Sequence, residues 1–166
     1  GSSNMNEWAM MSYLGRVNYN YNNKYYVTAS FRSDGSSKFG KNNRFGNFPS
    51  MSVMWRASEE KFISNLDLFS DLKLRASYGV TGNDALSNNY AAIGTIATSN
   101  YVFGSGSGVI VNGANMNSIA NPDLTWEKAS QLDLGLEMGF FDNRLTVGTD
   151  YYSRKTTDLL LNVPIP

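Results

Sequence analysis

Six stretches of this chain alternate apolar and polar residues with a period of two, the repeat of a β-strand whose faces meet different surroundings. The first, Ser12 to Tyr21, sets Tyr13, Gly15, Val17, Tyr19 and Tyr21 against Leu14, Arg16, Asn18 and Asn20. Asn22-Asn23 then predicts a two-residue hairpin turn, because asparagine tolerates the positive φ that such turns require. The second, Tyr25 to Arg32, sets Tyr25, Val27, Ala29 and Phe31 against Tyr26, Thr28, Ser30 and Arg32, and a Gly- and Ser-rich loop follows from Ser33 to Asn47. The third, Phe48 to Arg56, opposes Met51, Val53 and Trp55 to Ser50, Ser52, Met54 and Arg56, with Pro49 at its start, where a missing N–H is tolerable.

Ser58-Glu59-Glu60 reads as a helix N-cap followed by two carboxylates in the first turn, opening a short connecting helix with Phe62, Ile63 and Leu66. The fourth strand, Leu72 to Thr81, sets Leu72, Leu74, Ala76, Tyr78 and Val80 against Lys73, Arg75, Ser77 and Gly79. Gly82 to Leu124 has no clear periodicity and is expected to be a long loop. The fifth strand, Thr125 to Gly139, sets Trp126, Leu132, Leu134, Leu136 and Met138 against Gln131, Asp133, Gly135 and Glu137. A brief turn from Phe140 to Arg144 leads to the sixth, Leu145 to Arg154, where Leu145, Val147, Thr149 and Tyr151 oppose Thr146, Gly148, Asp150 and Tyr152.

A soluble β-sandwich also alternates, so alternation alone does not say what the apolar face meets. Two features favour a lipid bilayer. Short and long connections alternate along the chain, as in barrels with tight turns at one rim and large loops at the other. Threaded in that sense, Tyr19, Tyr21, Tyr25, Trp55 and Phe140 gather at the short-turn end, and Tyr13, Phe31, Tyr78, Trp126 and Tyr151 at the long-loop end. Aliphatic residues such as Val17, Val53, Leu74 and Leu134 lie between these two aromatic belts, as headgroups and hydrocarbon demand. Arg16, Arg32, Arg56, Arg75, Asp133, Glu137 and Asp150 on the other face are then expected to line an aqueous lumen, since a charge at the bilayer midplane costs about 2–4 kcal/mol. Six strands cannot close so wet a pore. The fold class is therefore all-β: an antiparallel up-and-down transmembrane β-barrel segment of about six strands from a larger barrel.

Composition narrows the chemistry. Lys plus Arg and Asp plus Glu number 14 each, which leaves no excess positive charge for nucleic acid. The absence of Cys and His removes thiolate and imidazole ligands, thiol nucleophiles and the commonest general base. No apolar run is long enough for a membrane-spanning helix. Gly1-Ser2-Ser3 carries no secretory leader pattern, and an internal piece of a longer chain is the expectation.

The strand Ser12-Tyr13-Leu14-Gly15-Arg16-Val17-Asn18-Tyr19, the loop Asp34-Gly35-Ser36-Ser37-Lys38-Phe39-Gly40 and the segment Trp55-Arg56-Ala57-Ser58-Glu59-Glu60 resemble the SusC/RagA family of TonB-dependent outer-membrane transporters. Leu72 to Asn83, Asn121 to Glu127, Phe140 to Leu145 and Asp150-Tyr151-Tyr152 are similar to further family segments, in order. The resemblance implies a 22-strand barrel closed by a plug, in the outer membrane of a Gram-negative bacterium. It further implies a SusD-type surface lipoprotein as partner, import of oligosaccharides or peptides, and energy delivered through TonB. Plug, TonB-contacting segment and most strands lie outside this chain, so the piece alone is expected neither to transport nor to couple.

Other motifs read more simply. Glu59-Glu60 could pair as catalytic carboxylates, but neighbours at a helix start point apart. Ser58 to Lys61 fits the S-x-x-K pattern without its companion motifs, and Gly104 to Gly108 lacks the lysine and the strand-to-helix setting of a phosphate loop. Asn83, Asp84 and Asp123 could bind calcium, although their spacing matches no calcium loop. Tyr101 and Phe103 in the longest loop could stack on sugar rings. A surface hydrolase lacks a catalytic constellation. The competing reading from another class is a secreted, soluble β-sandwich that binds carbohydrate. No cofactor or metal is expected.

Overall fold

The computed structural model describes residues 7–86, 89–103 and 109–161. Eight strands alternate with turns and loops: β1 (Met10–Tyr21), β2 (Tyr25–Ser36), β3 (Phe45–Arg56), β4 (Asp71–Asn83), β5 (Thr95–Phe103), β6 (Val109–Ser118), β7 (Glu127–Phe140) and β8 (Leu145–Thr157). One helical turn, α1 (Lys61–Ser64), follows a 3-10 turn at Ala57–Glu59 between β3 and β4. Six strands form one sheet in the order β1-β2-β3-β4-β7-β8, and β5 pairs with β6 in a separate two-stranded sheet. The ladders β3/β4, β4/β7 and β7/β8 are antiparallel, in keeping with the fold class expected from the alternation.

The tight turns follow from local chemistry. Asn22 and Asn23 both have positive φ, 51° and 54°, and the Lys24 amide donates to the Tyr21 carbonyl at 3.0 Å, the mirror-image turn that matches strand twist. The Asn20 side chain locks this turn by accepting from the Asn23 amide and donating to the Asn23 side-chain oxygen. Between β7 and β8, Phe141, Asp142 and Asn143 are all left-handed, and the Arg144 amide closes on the Phe141 carbonyl at 3.1 Å.

Some boundaries differ from the alternation. β2 runs on to Ser36 and β3 starts at Phe45, so the loop expected over Ser33 to Asn47 is shorter. Pro49 lies inside β3, but the ladder with β4 begins beside it at Ser50↔Gly79, beyond the missing N–H. Ser58 caps no helix: its hydroxyl donates to Asp71 Oδ1 at 3.4 Å, and Glu60 stands at the N-cap position of α1 with no capping bond from its side chain. The aperiodic loop contains β5 and β6, whose two faces carry similar mixtures of apolar and polar residues and so leave no period-two signal.

Two compact units make up the chain. The wall unit holds residues 12–33, 47–83 and 127–166, that is, most of the six-stranded sheet. Its aliphatic side chains are not a core: Val17, Val53, Leu74 and Leu134 are 69%, 41%, 41% and 43% exposed. Among the described residues no second layer covers them, unlike the inward faces of a β-sandwich. Among the buried side chains of this unit is Phe48, whose ring occupies the space a Cβ on Gly82 would need.

The loop unit holds residues 1–11, 34–46 and 84–126 and has a small core of its own. Phe39 and Trp126 are buried with ring centroids 5.1 Å apart, and Trp126 Nε1 donates to the Arg44 carbonyl at 2.9 Å. The Pro122 carbonyl lies against Gly40 where a Cβ would stand. The Ser36 hydroxyl and the Lys38 ammonium both reach Asp84. Trp126 therefore departs from its expected place in the long-loop belt. Its parity matches Leu132, but β7 begins only at Glu127, and the indole is spent on this core.

Placing a β-branched residue at a left-handed position tests the β1–β2 turn. Asn22→Val should lower stability by about 1–2 kcal/mol, whereas Asn22→Gly should be close to neutral. Urea midpoints of the protein in detergent micelles measure both.

Candidate functional site: a two-faced wall

Cross-strand register sorts the wall by face, because residues paired on adjacent strands point to the same side. On one side lie the rows Met51↔Tyr78↔Leu132, Val53↔Ala76↔Leu134↔Tyr151 and Trp55↔Leu74↔Leu136↔Thr149. On the other lie Ser52↔Ser77↔Asp133↔Tyr152, Met54↔Arg75↔Gly135↔Asp150 and Arg56↔Lys73↔Glu137↔Gly148. Polarity is largely kept in register across the four strands, with Ser153 of β8 paired to Leu132 and Met54 in a polar row as departures.

The polar side is knitted by charges. Arg56 contacts Glu59 at 3.2 Å and Asp71 at 4.0 Å, Lys73 contacts Asp71 at 2.6 Å and Glu137 at 3.7 Å, and Arg75 contacts Glu137 at 3.5 Å and Asp150 at 2.9 Å. Arg75 reaches Asp150 across β7 because Gly135 stands between them. A Cβ there would meet Asp150 Oδ1 at 2.7 Å and Arg75 Nε at 2.9 Å. Asp133 takes neutral donors, the Gln131 amide at 2.8 Å and the Ser77 hydroxyl at 3.4 Å. A concavity of about 670 Å³ on this side is lined by Tyr26, Ser52, Arg75, Asp133, Asp150 and Tyr152, among others.

Of the residues singled out in the sequence, Arg56, Arg75, Glu137 and Asp150 thus join one ladder, with Asp133 a row away. Arg16 on β1 and Arg32 on β2 are exposed. Asp71, Lys73 and Glu59 also belong to the ladder, although the sequence does not single them out as lumen-facing. The signal for Lys73 was present, since it shares the parity of Arg75.

At the short-turn end, Tyr25 lies 6.4 Å from Tyr21 and stacks on Trp55 at 6.4 Å with ring planes 3° apart. Phe140 packs on Phe69 at 5.3 Å. Glu60 anchors this end: it accepts from the Tyr25 hydroxyl at 2.7 Å and the Lys24 ammonium at 3.1 Å. Those two bonds, the Tyr25 one first, hold its carboxyl below the usual carboxylate range. Glu59 turns instead to Arg56, so the adjacent carboxylates serve different partners.

Tyr19, Tyr13, Phe31, Tyr78 and Tyr151 are 59%, 61%, 51%, 51% and 61% exposed. Tyr151 shares a row with Val53, Ala76 and Leu134 of the aliphatic band. Barrel strands tilt, so such a row crosses the wall at a slant and different strands reach different heights along it. In the loop unit, Tyr101 is 65% exposed on β5, opposite Val111. The Phe103 side chain and residues 104–108 lie outside the described residues. Asp84, once a calcium candidate, is engaged by Ser36 and Lys38.

Comparison with known proteins agrees with this geometry. A family model described as TonB dependent receptor-like, β-barrel, matches residues 2–166. TonB-dependent receptor P3 of Formosa agariphila is 43% identical over 165 residues, which is 99% of this chain and 16% of that protein. TonB-dependent receptor SusC of Bacteroides thetaiotaomicron is 39% identical over 161 residues, 95% of this chain and 16% of the relative. The solved RagAB peptide transporter matches with a TM-score of 0.81 at 39% identity, over 96% of this chain and 17% of that one. The chain thus spans about a sixth of the length of these relatives. They are receptors, a family without enzymatic activity.

Two measurements test the geometry. Leu134→Arg should cost about 2–4 kcal/mol if that face meets hydrocarbon, whereas a double-mutant cycle on Arg75 and Asp150, a pair open to water, should return under about 1 kcal/mol. Comparable values for the two would contradict the assignment of faces. Glu60 titrates lower folded than unfolded, so its stabilisation is complete above the usual carboxylate value and disappears as pH falls through the lowered one. The urea midpoint should therefore drop with acid across that window, and Glu60→Gln should flatten the drop.

Proposed function

Because this chain belongs to the TonB-dependent receptor-like β-barrel family, we propose that it forms wall strands of an outer-membrane importer for oligosaccharides or peptides. The observation that carries the reading is the registered two-faced sheet, aliphatic and uncovered on one side, ionic on the other. The aliphatic side meets lipid, with Tyr19, Tyr21, Tyr25, Trp55 and Phe140 at one headgroup level and Tyr13, Phe31, Tyr78 and Tyr151 at the other. The ionic side lines the passage beside the plug, and Arg16, Arg32, Arg56, Arg75, Asp133, Glu137 and Asp150 face its water. Chiefly these charges satisfy one another and the plug, as the ladder through Arg75 suggests.

The remainder of the barrel pairs with the outer edges of β1 and β8, the terminal strands of the sheet. The connections at residues 37–44 and 84–126 face the cell exterior, where Tyr101 and Phe103 are available to solute and a SusD-type lipoprotein docks. The likeness to the RagAB peptide transporter supports peptide as a cargo class.

Uptake by cells carrying the full-length receptor decides the matter. Import of a labelled oligosaccharide or peptide mixture should cease when a protonophore collapses the inner-membrane gradient or when TonB is deleted. Receptor-dependent uptake that survives both treatments would contradict the proposal.

A further inference from the structure

The aliphatic side of the wall is not level. Val53, Ala76, Leu134 and Tyr151 form one of its rows and Trp55, Leu74, Leu136 and Thr149 the next, so the small Ala76 and Thr149 stand among large side chains. A groove of about 570 Å³ lies there, bounded by Tyr25, Val53, Trp55, Leu74, Leu134 and Tyr151, among others. Small-molecule sites commonly span ~300–1,000 Å³. Strands β2, β3, β4 and β7 beneath it each have a neighbour on both sides, so strands added at β1 or β8 leave the groove as it stands.

One end of the groove is polar. Tyr25 and Trp55, stacked on each other, bound it toward the short-turn rim, and there the Tyr25 hydroxyl donates to Glu60, which also holds the Lys24 ammonium at 3.1 Å. The Lys24 and Glu60 side chains are still 26% and 19% exposed, so a further polar group can reach them. An ammonium, a phenol and a carboxylate thus stand at the mouth of an apolar slot. Lys24 suits a phosphate, Glu60 suits a primary ammonium, and the slot suits a hydrocarbon chain. A sugar or a peptide backbone suits it badly, because the walls are almost wholly apolar and would leave hydroxyl or amide groups without partners.

We propose that this groove holds one glycerophospholipid with an aminoalkyl phosphate headgroup, drawn from the periplasmic leaflet. The inference rests on the reading of the aliphatic side as lipid-facing and adds a single resident molecule to it. One acyl chain lies over Ala76 between Val53 and Leu134, and the aromatic pair Tyr25 and Trp55 flanks the glycerol level. The headgroup phosphate takes Lys24 and its ammonium takes Glu60, so a zwitterion enters the ion pair without adding net charge. Short turns of outer-membrane barrels face the periplasm, which sets the leaflet.

Native mass spectrometry of the full-length receptor, delipidated in detergent and titrated with palmitoyl-oleoyl phosphatidylethanolamine, tests the proposal. One lipid should bind ahead of any others. Ala76→Leu, which fills the groove and keeps the face apolar, should leave the receptor heat-modifiable and able to enter liposomes while weakening that first binding roughly tenfold. Lys24→Gln should weaken it by a similar factor, and a diacylglycerol with the same chains should bind the parent less well and be indifferent to Lys24→Gln. Equal binding by the parent and Ala76→Leu overturns the site and leaves the lipid-facing wall standing. A parent receptor that stays soluble without detergent and does not enter liposomes overturns both. Diacylglycerol binding as tightly as the phospholipid, or lipopolysaccharide displacing it, removes the headgroup or the leaflet and equally overturns the proposal.

Discussion

Hydrocarbon offers no hydrogen-bond partner, so each backbone N–H and C=O placed in it must find one within the protein. The ladders β3/β4, β4/β7 and β7/β8 meet that requirement for the strands β4 and β7, which are paired on both sides. Side-chain polarity then follows from the pleat. Val53, Ala76 and Leu134 can face an apolar solvent only because Ser52, Ser77 and Asp133, one residue away on each strand, face the other way in register. A slip by one residue on any strand would exchange the two sets, placing Arg75 or Asp133 on the aliphatic face. Burial is thus a minor theme in the wall, and register does the work that a core does elsewhere.

The ionic face holds its charges in mutual contact. Arg56, Lys73 and Arg75 alternate with Glu59, Asp71, Glu137 and Asp150, so each cation lies near carboxylates on neighbouring elements. Individually these contacts are worth little where water reaches them. Collectively they fix which rotamers the long side chains adopt, and Gly135 gives Arg75 its path to Asp150. That glycine leaves room between two flexible side chains, which a Cβ there would push aside.

Much of this was legible in the residues because the two faces of a membrane strand meet such different solvents. The six wall strands, the Asn22-Asn23 turn and the separation of Arg75, Asp133, Glu137 and Asp150 from Val53, Leu74 and Leu134 all follow from alternation and turn chemistry. What escaped was whatever lacks that asymmetry. β5 and β6 carry mixed residues on both faces, so their strand character left no period. Trp126 has the parity of a strand residue and the chemistry of a loop core, and sequence distance conceals its partners Phe39 and Arg44. Ser58 looks like a cap, but Asp71, distant in sequence, competes for its hydroxyl.

The small core around Phe39 also determines what can vary. Asp84 is tied to Ser36 and Lys38, while Pro122 and Trp126 are tied to Gly40, Phe39 and Arg44, so the excursion leaves from and returns to the same short connection. With both feet held together, the closure entropy of what lies between them grows only slowly with its length. A change in the length of that stretch costs little in closure entropy as long as its two feet stay held. The Phe39 core therefore acts as a clasp, holding the two ends of the excursion together whatever lies between them.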